Sequence, residues 1–346
     1  MKYRSVVKSI FTGFLLLLML LLLWQYRLVE YGISQAQGQL RVVWNARPLE
    51  EYLADPAFPD SLKAKLLLIQ EIRRFAVDSL GINPSDNYTT VFNQRGKPIL
   101  WVVTATPPYK LEAREWKFPL IGSFSYKGFF DYARAQREEA GLKAQGLDTE
   151  IDEVSGWSTL GWFKDPILTN WLSRSEGQLA NLIIHELTHG TLYVKNNVAY
   201  NENLASFVGD HGATLFLERK YGRDSKEYRR YEDGKIFREK YSQHILRGAG
   251  QLERLYASFR PALPKAQKDT LKYRLIRKII LTADTLTANG RTRKWGWEGP
   301  PANNTYFMGF VRYRAKQNQF EEEFKTKFNS DFRKYLAYLK ETYPSL

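Results

Sequence analysis

The 346-residue chain contains no cysteine. This absence excludes disulfide frameworks, thiolate metal sites, iron–sulfur clusters, cysteine nucleophiles and a lipidated cysteine near the N-terminus. Histidine is also scarce, with four residues in the whole chain. No internal repeat and no low-complexity linker divides the sequence. Apolar residues make up 44% and charged residues 25%, which are ordinary globular values and exclude a wholly disordered or fibrous protein.

One long apolar run, Ser9–Trp24, lies near the N-terminus and carries no charge over 16 residues. As a helix it would reach about 24 Å, somewhat short of the roughly 30 Å of a bilayer core. A cleaved signal peptide is the alternative, but residues 25–27 do not provide the small side chains that a cleavage site requires. We therefore expect residues 1–30 to form an uncleaved membrane anchor. The basic residues before the run place the N-terminus in the cytoplasm and the body outside.

Residues 31–346 predict a single domain of α+β class, dominated by helices and with a small β-sheet. Apolar residues at three- and four-residue spacing indicate helices from Tyr31 to Leu80, and the chain beyond Gln178 has a helical pattern throughout. Residues 88–92 and 99–104 predict two strands of a β-hairpin, because the intervening residues 93–96 have the composition of a turn.

The basic residues are concentrated in the C-terminal part of the chain, residues 218–346. This part holds 29 lysines and arginines against 15 acidic residues, so the whole net charge of +14 lies there. Such a surplus suggests either nucleic acid or an anionic lipid surface as a partner. For a chain anchored outside the cytoplasm we expect no nucleic-acid partner. Contact with anionic lipid remains a hypothesis, and a solvated charged face without a partner is the alternative.

The sharpest chemical signal is the H-E-x-x-H pattern at residues 185–189. In a helix, His185 and His189 lie one turn apart on the same face, so their imidazoles can bind one tetrahedral Zn²⁺. Glu186 is turned by about 100° around the helix, where a general base for a zinc-bound water should stand. The apolar flanks of the pattern predict that this helix is buried.

A second helix, predicted after the polar turn Lys195–Asn197, offers candidates for the third metal ligand. His189 and Glu202 lie at similar distances before and after the turn, so an antiparallel helix pair brings them to nearly the same height. A His₂Glu set leaves the fourth position for water, which is the composition of a catalytic zinc site. His211 is the alternative third ligand, and Asp210 is a candidate for orienting one of the histidines.

These motifs resemble those of a known group of enzymes. HELTH at 185–189 followed by NENLASF at 201–207 resembles the HExxH…NExxAS pattern of the gluzincin metallopeptidases, which include membrane-alanyl-type aminopeptidases. The spacing departs from theirs, because 12 residues separate His189 from Glu202 and that clan usually has more. The whole chain is similar to the bacterial predicted-aminopeptidase family of cell-envelope proteins. Further matching stretches lie at 38–40, 118–130 and 158–166.

The resemblance implies a zincin-like fold core and a zinc-dependent mechanism. In this arrangement His185, His189 and Glu202 are the zinc ligands and Glu186 is the base. Zinc-activated water attacks the peptide carbonyl, and Glu186 then passes the proton to the leaving amine. The resemblance also implies the bacterial inner membrane as the location, with the body facing the periplasm.

A tyrosine often supplies a further donor to the oxyanion in gluzincins. Tyr193, Tyr200, Tyr306 and Tyr313 are the candidates, and Tyr313 is preferred because it lies in a C-terminal segment, 303–313, that matches the family.

An aminopeptidase also needs a carboxylate that pairs with the α-ammonium group of a peptide substrate. Asp165 and Glu153 are candidates near an aromatic loop, but no segment like the GxMEN motif of the membrane-alanyl enzymes is present. The choice between exopeptidase and endopeptidase therefore stays open. The main alternative to an enzyme is a non-catalytic, membrane-anchored envelope protein in which the zinc site is structural. The presence of Glu186 argues against it, because a structural site does not need that carboxylate.

Overall fold

The computed structural model of the protein describes residues 25–118, 122–154, 164–288, 290–292 and 301–343, together with Thr12 and Gly156. The chain forms two compact units, Met1–Asn45 and Ala46–Leu346. The first unit contains helix α1 (Tyr26–Asn45). The apolar run Ser9–Trp24 lies outside the described residues except for Thr12. In the part of the chain that the structure describes, no helix combines the length and the apolar character needed to cross a membrane.

The second unit is a helix-dominated α+β structure, as the sequence predicts. Its N-terminal helices are α2 (Leu49–Ala54), α3 (Asp60–Phe75), which continues into a π-helical turn at Ala76–Leu80, and α4 (Tyr132–Ala144). The helices that follow are α5 (Glu176–His189), α6 (Val198–Tyr221), α7 (Lys226–Ala257), α8 (Lys265–Ala283), α9 (Asn304–Arg314), α10 (Gln317–Phe328) and α11 (Phe332–Thr342).

The β-structure consists of short strands in small separate sheets. One sheet has the order β1–β2–β8, with strands Arg47–Pro48, Thr90–Phe92 and Ile167–Leu168. A second sheet has the order β6–β3–β7, with strands Lys127–Phe129, Trp101–Thr106 and Asp148–Glu153. Two further antiparallel pairs join β4 (Trp116–Phe118) to β5 (Gly122–Phe124) and β9 (Thr287–Ala288) to β10 (Arg291–Thr292).

The predicted β-hairpin between β2 and β3 is wrong. Both strands exist, but β2 pairs with β1 and β8, whereas β3 pairs with β6 and β7. The turn between them forms, and Gly96 adopts a φ of 72° there. However, the backbone N–H of Gln94 donates to Thr169 Oγ1 at 3.0 Å. The turn is therefore bound to a distant segment and does not join two paired strands.

The core of the second unit lies between α5 and α6, with a second apolar cluster where α7, α8 and α9 meet. Helix α5 is fixed at its start by a capping box, in which Ser175 and Gln178 exchange hydrogen bonds between side chain and backbone. The start of α6 is capped by Asn197, whose side chain accepts from the backbone N–H of Tyr200 at 3.2 Å. These two caps set the ends of the helices that carry the HExxH pattern and Glu202.

Candidate metal centre

Helices α5 and α6 pack closely and run in opposite directions. Glu202 lies beside the end of α5, whereas Asp210, two turns later on α6, accepts a hydrogen bond from Asn181 near the start of α5, at 2.9 Å. Gly209 makes this approach possible. A β-carbon there would lie 3.0 Å from the carbonyl oxygen of Asn181 and 3.2 Å from His185 Cβ. The antiparallel pair predicted from the short polar turn is therefore present.

The structure brings the three predicted ligands together. His185 Nε2 lies 3.2 Å from His189 Nε2, and Glu202 Oε2 lies 3.3 Å from the first and 3.4 Å from the second. A tetrahedral zinc ion with ligands at about 2.0–2.1 Å separates its donor atoms by about 3.3–3.4 Å. The three donors therefore have the spacing of three corners of a zinc tetrahedron. Within the described residues, this is the group of histidine and acidic side chains that could hold a metal ion.

The electrostatics of the three side chains are coupled. Burial alone would lower the pKa of His189, but the charge of Glu202 and its hydrogen bond raise it above the usual value. Burial alone would raise the pKa of Glu202, but the two histidines hold it well below the usual range. His189 Nδ1 is buried and has no hydrogen-bond partner among the described residues. Two imidazoles and an ionised carboxylate that converge in this way form a donor set suited to a divalent metal ion.

Glu186 is adjacent to the donor set but does not belong to it. Its side chain is buried, with 7% of the residue exposed. Burial raises the pKa of its carboxyl group, and the neighbouring charges of His185 and His189 oppose that rise. The backbone of Gly156 lies against this carboxylate. Glu186 therefore lies beside the three donor atoms without belonging to their group, and its role as a general base stays a prediction.

Comparison with known families gives an assignment for almost the whole chain. Residues 30–343 match the profile of the family described as "Putative aminopeptidase". The chain belongs to this family. The comparison with curated proteins and the comparison with solved structures each gave no match. The family match adds a peptidase family to a site in which three side chains lie close enough to bind a metal ion.

Two of the four candidate tyrosines of this aminopeptidase-family chain lie at the centre. The Tyr313 ring lies 6.5 Å from the His185 ring, and the Tyr193 ring lies 6.3 Å from the His189 ring. Burial and the charge of Glu202 raise the pKa of both phenols, to about 12 for Tyr193 and further for Tyr313. A tyrosine hydroxyl is protonated at neutral pH even at its ordinary pKa of about 10, so both hydroxyls can donate a hydrogen bond.

The other two tyrosines make packing contacts elsewhere in the second unit. Tyr200 packs against the rings of Phe320 and Tyr343. The hydroxyl of Tyr306 is hydrogen bonded to the hydroxyl of Tyr241 at 2.5 Å.

The alternative ligand and orienting residues lie away from the donor atoms. His211 pairs with Glu321 at 2.7 Å and packs on the Phe207 ring. Asp210 forms an ion pair with Arg314 and contacts neither metal-facing histidine in the contacts described for it. Of the two carboxylates considered for a substrate ammonium group, Asp165 is fully buried and Glu153 is exposed.

The structure places two further residues, Tyr126 and Arg174, near Glu202 and Glu186, and the sequence did not predict either of them. Tyr126 is half-buried, and burial and the charge of Glu202 both raise the pKa of its phenol. Arg174 is coupled electrostatically to Glu186, although burial lowers its pKa. Tyr126 lies in the segment 118–130 that matches the family, so that match could have identified Tyr126 as a candidate site residue. No local pattern marks Arg174, because its position depends on the long-range packing of the chain.

Proposed function

We propose that the protein is a zinc-dependent metallopeptidase of gluzincin type, in which His185, His189 and Glu202 hold the metal. The observation that carries this proposal is the spacing of their three donor atoms, at 3.2–3.4 Å, beside a buried carboxylate that makes no part of the donor set. Membership of the aminopeptidase family supports peptides as substrates.

The roles of the residues follow from their chemistry. A bound zinc ion would supply Lewis acidity, which lowers the pKa of a coordinated water and polarises a carbonyl group. Glu186 then acts as the general base that accepts the proton of the attacking water. The same carboxyl group then delivers that proton to the leaving amine, so that it acts first as a base and then as an acid. Tyr313, whose ring lies 6.5 Å from the His185 ring, donates a hydrogen bond to the developing oxyanion.

A non-catalytic protein with a structural metal site is the alternative, and Glu186→Gln separates the two. We expect this variant to bind zinc as the wild type does and to hydrolyse peptides at least about 10²-fold more slowly, because general base catalysis is lost. Metal content is measured by elemental analysis and hydrolysis with a library of aminoacyl and internally quenched peptides. A metal-loaded wild type that cleaves no more than the variant would support the structural alternative.

Aminopeptidase specificity is the finer part of the proposal, and family membership supports it. An exopeptidase must recognise a free α-ammonium group, so acetylation of the substrate N-terminus should abolish its cleavage. Paired peptides of the same sequence, free and N-acetylated, test this directly. Equal cleavage of both members of the pair would identify an endopeptidase instead.

We also propose attachment to the bacterial inner membrane, with the catalytic unit facing the periplasm. The apolar run at 9–24 supports an anchor, and the basic C-terminal part supports contact with anionic lipid. The exposed face of α8 carries three basic residues, Arg274, Arg277 and Lys278, which have no acidic partner among the described residues. The same helix also exposes two apolar side chains, Leu271 at 36% and Leu281 at 57%. Cations close to an anionic surface gain about 1 kcal/mol each.

Reconstitution of the full chain tests the lipid contact. Amine-reactive labelling of Lys278 should be slower in phosphatidylglycerol vesicles than in phosphatidylcholine vesicles, and added salt should remove the difference because it screens surface charge. Equal labelling in both lipids would contradict the contact. The anchor is tested separately, by extraction of cell membranes at high salt and alkaline pH, which an anchored chain should resist.

A further inference from the structure

Two buried asparagines flank Glu202 on helix α6, and each binds a different neighbouring segment. Asn201 and Asn203 are 1% and 0% exposed. The side chain of Asn201 accepts from the backbone N–H of Val194 at 2.8 Å and donates to the carbonyl oxygen of the same residue at 2.9 Å. It therefore fixes the loop between α5 and α6, which carries Tyr193.

Asn203 fixes the end of α9 instead. Its Nδ2 donates to the carbonyl oxygens of Arg312 at 2.6 Å and Val311 at 3.3 Å, and its Oδ1 accepts from the backbone N–H of Lys316 at 2.8 Å. The last carbonyl groups of a helix have no partner within it, so Asn203 satisfies them from outside. All of these contacts lie on either side of Tyr313.

Asp210 supplies a second attachment two turns further along α6. It forms an ion pair with Arg314, the residue after Tyr313, and it accepts a hydrogen bond from Asn181 of α5 at 2.9 Å. Asp210 is buried, with 7% of the residue exposed. The segment that carries Tyr313 is therefore attached to Asn203 through the backbone on both sides of the tyrosine, and to Asp210 through the Arg314 side chain.

We propose that Asn203 and Asp210 are positioning residues that hold the Tyr313 hydroxyl at the metal centre for oxyanion stabilisation. Helix α6 then bears both Glu202 and the two groups that place the oxyanion donor, so one rigid element sets the distance between metal and donor. This inference rests on the proposed function. It assigns a role to Asn203 and Asp210 that neither the HExxH pattern nor the family description contains.

A double-mutant cycle with Tyr313→Phe tests the proposal. Asn203→Asp keeps the acceptor for Lys316 but loses the donor to the α9 carbonyls, and Asp210→Asn removes the charge that binds Arg314. We expect each to lower kcat by about 10–100-fold with little change in KM, since misplacement of a donor by about 1 Å has effects of this size. When Tyr313→Phe is already present, adding either substitution should lower kcat by less than about two-fold, because the hydrogen bond that Asn203 and Asp210 support is already absent.

Asn201→Asp is the matched control. It makes the same substitution next to Glu202, but it loosens the loop at Val194 instead of the end of α9. Its effect on kcat should persist in full in the Tyr313→Phe background. Metal content should match the wild type in all variants.

Hydrogen exchange supplies a readout that does not depend on activity. Amides of residues 313–318 should exchange faster in Asn203→Asp, and those of residues 192–197 should exchange faster in Asn201→Asp, because each variant frees a different segment. Losses in kcat that add in the double variants, or unchanged exchange at 313–318, would overturn the proposal. If Asn203→Asp does not fold, the Asp210→Asn cycle decides. A metal-loaded wild type that cleaves no peptide refutes the proposed function, whereas the exchange data still test the attachment of Tyr313.

Discussion

The backbone of Gly156 lies directly against the carboxylate of Glu186. A β-carbon at this position would overlap Glu186 Oε1 and would lie 2.9 Å from Cδ of the same side chain and 3.1 Å from Leu182 Cδ1. Only glycine leaves room for the carboxylate where it stands. The place of the proposed general base is therefore set by a segment outside the HExxH helix.

Gly156→Ala should displace the Glu186 carboxylate without removing any metal ligand. We expect kcat to fall by about 10–100-fold, because a shift of about 1 Å in a catalytic group has effects of this order. Metal content should be unchanged, since the donor atoms belong to α5 and α6. Steady-state peptide hydrolysis and elemental analysis of the same preparation measure the two quantities.

Gly141→Ala is the control for this substitution. Gly141 lies in α4, and among the described residues no atom beyond its own helical backbone would lie within 4 Å of an alanine methyl group there. Alanine should therefore leave hydrolysis unaltered and stabilise the helix by up to about 1 kcal/mol. Equal activity of Gly156→Ala and Gly141→Ala would show that the contact with Glu186 is unimportant.

Gly209→Ala should loosen the metal centre by separating the two helices that form it. The added methyl group meets a backbone carbonyl oxygen at 3.0 Å and His185 Cβ at 3.2 Å, and neither can rotate away. We expect a loss of about 1–3 kcal/mol in stability, as for other overpacked cores, and weaker zinc binding because the donor spacing widens. Zinc competition with a chromophoric chelator and thermal unfolding measure these effects.

Gly250→Ala provides the comparison for Gly209→Ala, because Gly250 also lies in a helix, α7, but its β-carbon would make ordinary contact at 3.7 Å. Zinc affinity that is the same in both variants would contradict the argument from helix spacing.

The metal centre could be predicted from the sequence because its geometry is local. His185 and His189 are one helical turn apart, and Glu202 follows after one short connection, so helix rise alone brings the donors to one height. Tyr313 and Gly156 could not be placed in this way. Each reaches the centre through packing between segments distant in sequence, which no spacing rule encodes.

The hairpin prediction is wrong because strand pairing, like the positions of Tyr313 and Gly156, depends on contacts between segments distant in sequence. Strand and turn signals in residues 88–104 are local and can be identified, but β2 pairs with β1 and with β8, and β8 lies about 75 residues further along the chain. Val91 and Ile167, which are opposite each other in this pairing, are both fully buried. The sequence predicts such elements more reliably than their partners.

Glu321 should make the stability of the protein dependent on acid pH. Its hydrogen bond with His211, together with Lys325, lowers the pKa of its carboxyl group to about 2. A carboxyl group with a lowered pKa stabilises the folded state above its unfolded pKa, and this contribution is lost as the pH falls through the folded value. Glu321→Gln should cost about 1 kcal/mol at neutral pH, because solvent screens a pair that is only partly buried. The cost should disappear as the pH falls from about 4.5 towards 2.

Urea unfolding of both proteins over this pH range measures that difference. Glu322→Gln is the control, because Glu322 is exposed and has no ion-pair partner among the described residues. A cost for Glu321→Gln that stays constant between pH 7 and pH 2 would contradict the pairing with His211.

Lys272 and Asp148 form a buried ion pair that joins α8 to β7. Lys272 is 1% exposed, and its Nζ lies 2.5 Å from Asp148 Oδ2. The same carboxylate oxygen accepts from the backbone N–H of Asn304 at 3.0 Å, at the start of α9. Burial lowers the pKa of Lys272 although Asp148 favours its charged form. The carboxylate thus compensates a cation that the core would otherwise exclude.

Asp148→Asn should leave the Lys272 ammonium group buried without its counter-ion and destabilise the protein by about 3–5 kcal/mol. Asp269→Asn is the comparison on the same helix. Its partner Lys265 has a side chain that is 76% exposed, so this ion pair should contribute at most about 1 kcal/mol, and the asparagine oxygen can still accept the hydrogen bond that Tyr109 donates to Asp269. Replacing both buried partners, with Asp148→Asn and Lys272→Met, should recover much of the loss, since no charge then remains in the core. Calorimetric unfolding of the three variants distinguishes a buried pair from a surface one, and equal losses for Asp148→Asn and Asp269→Asn would contradict the burial argument.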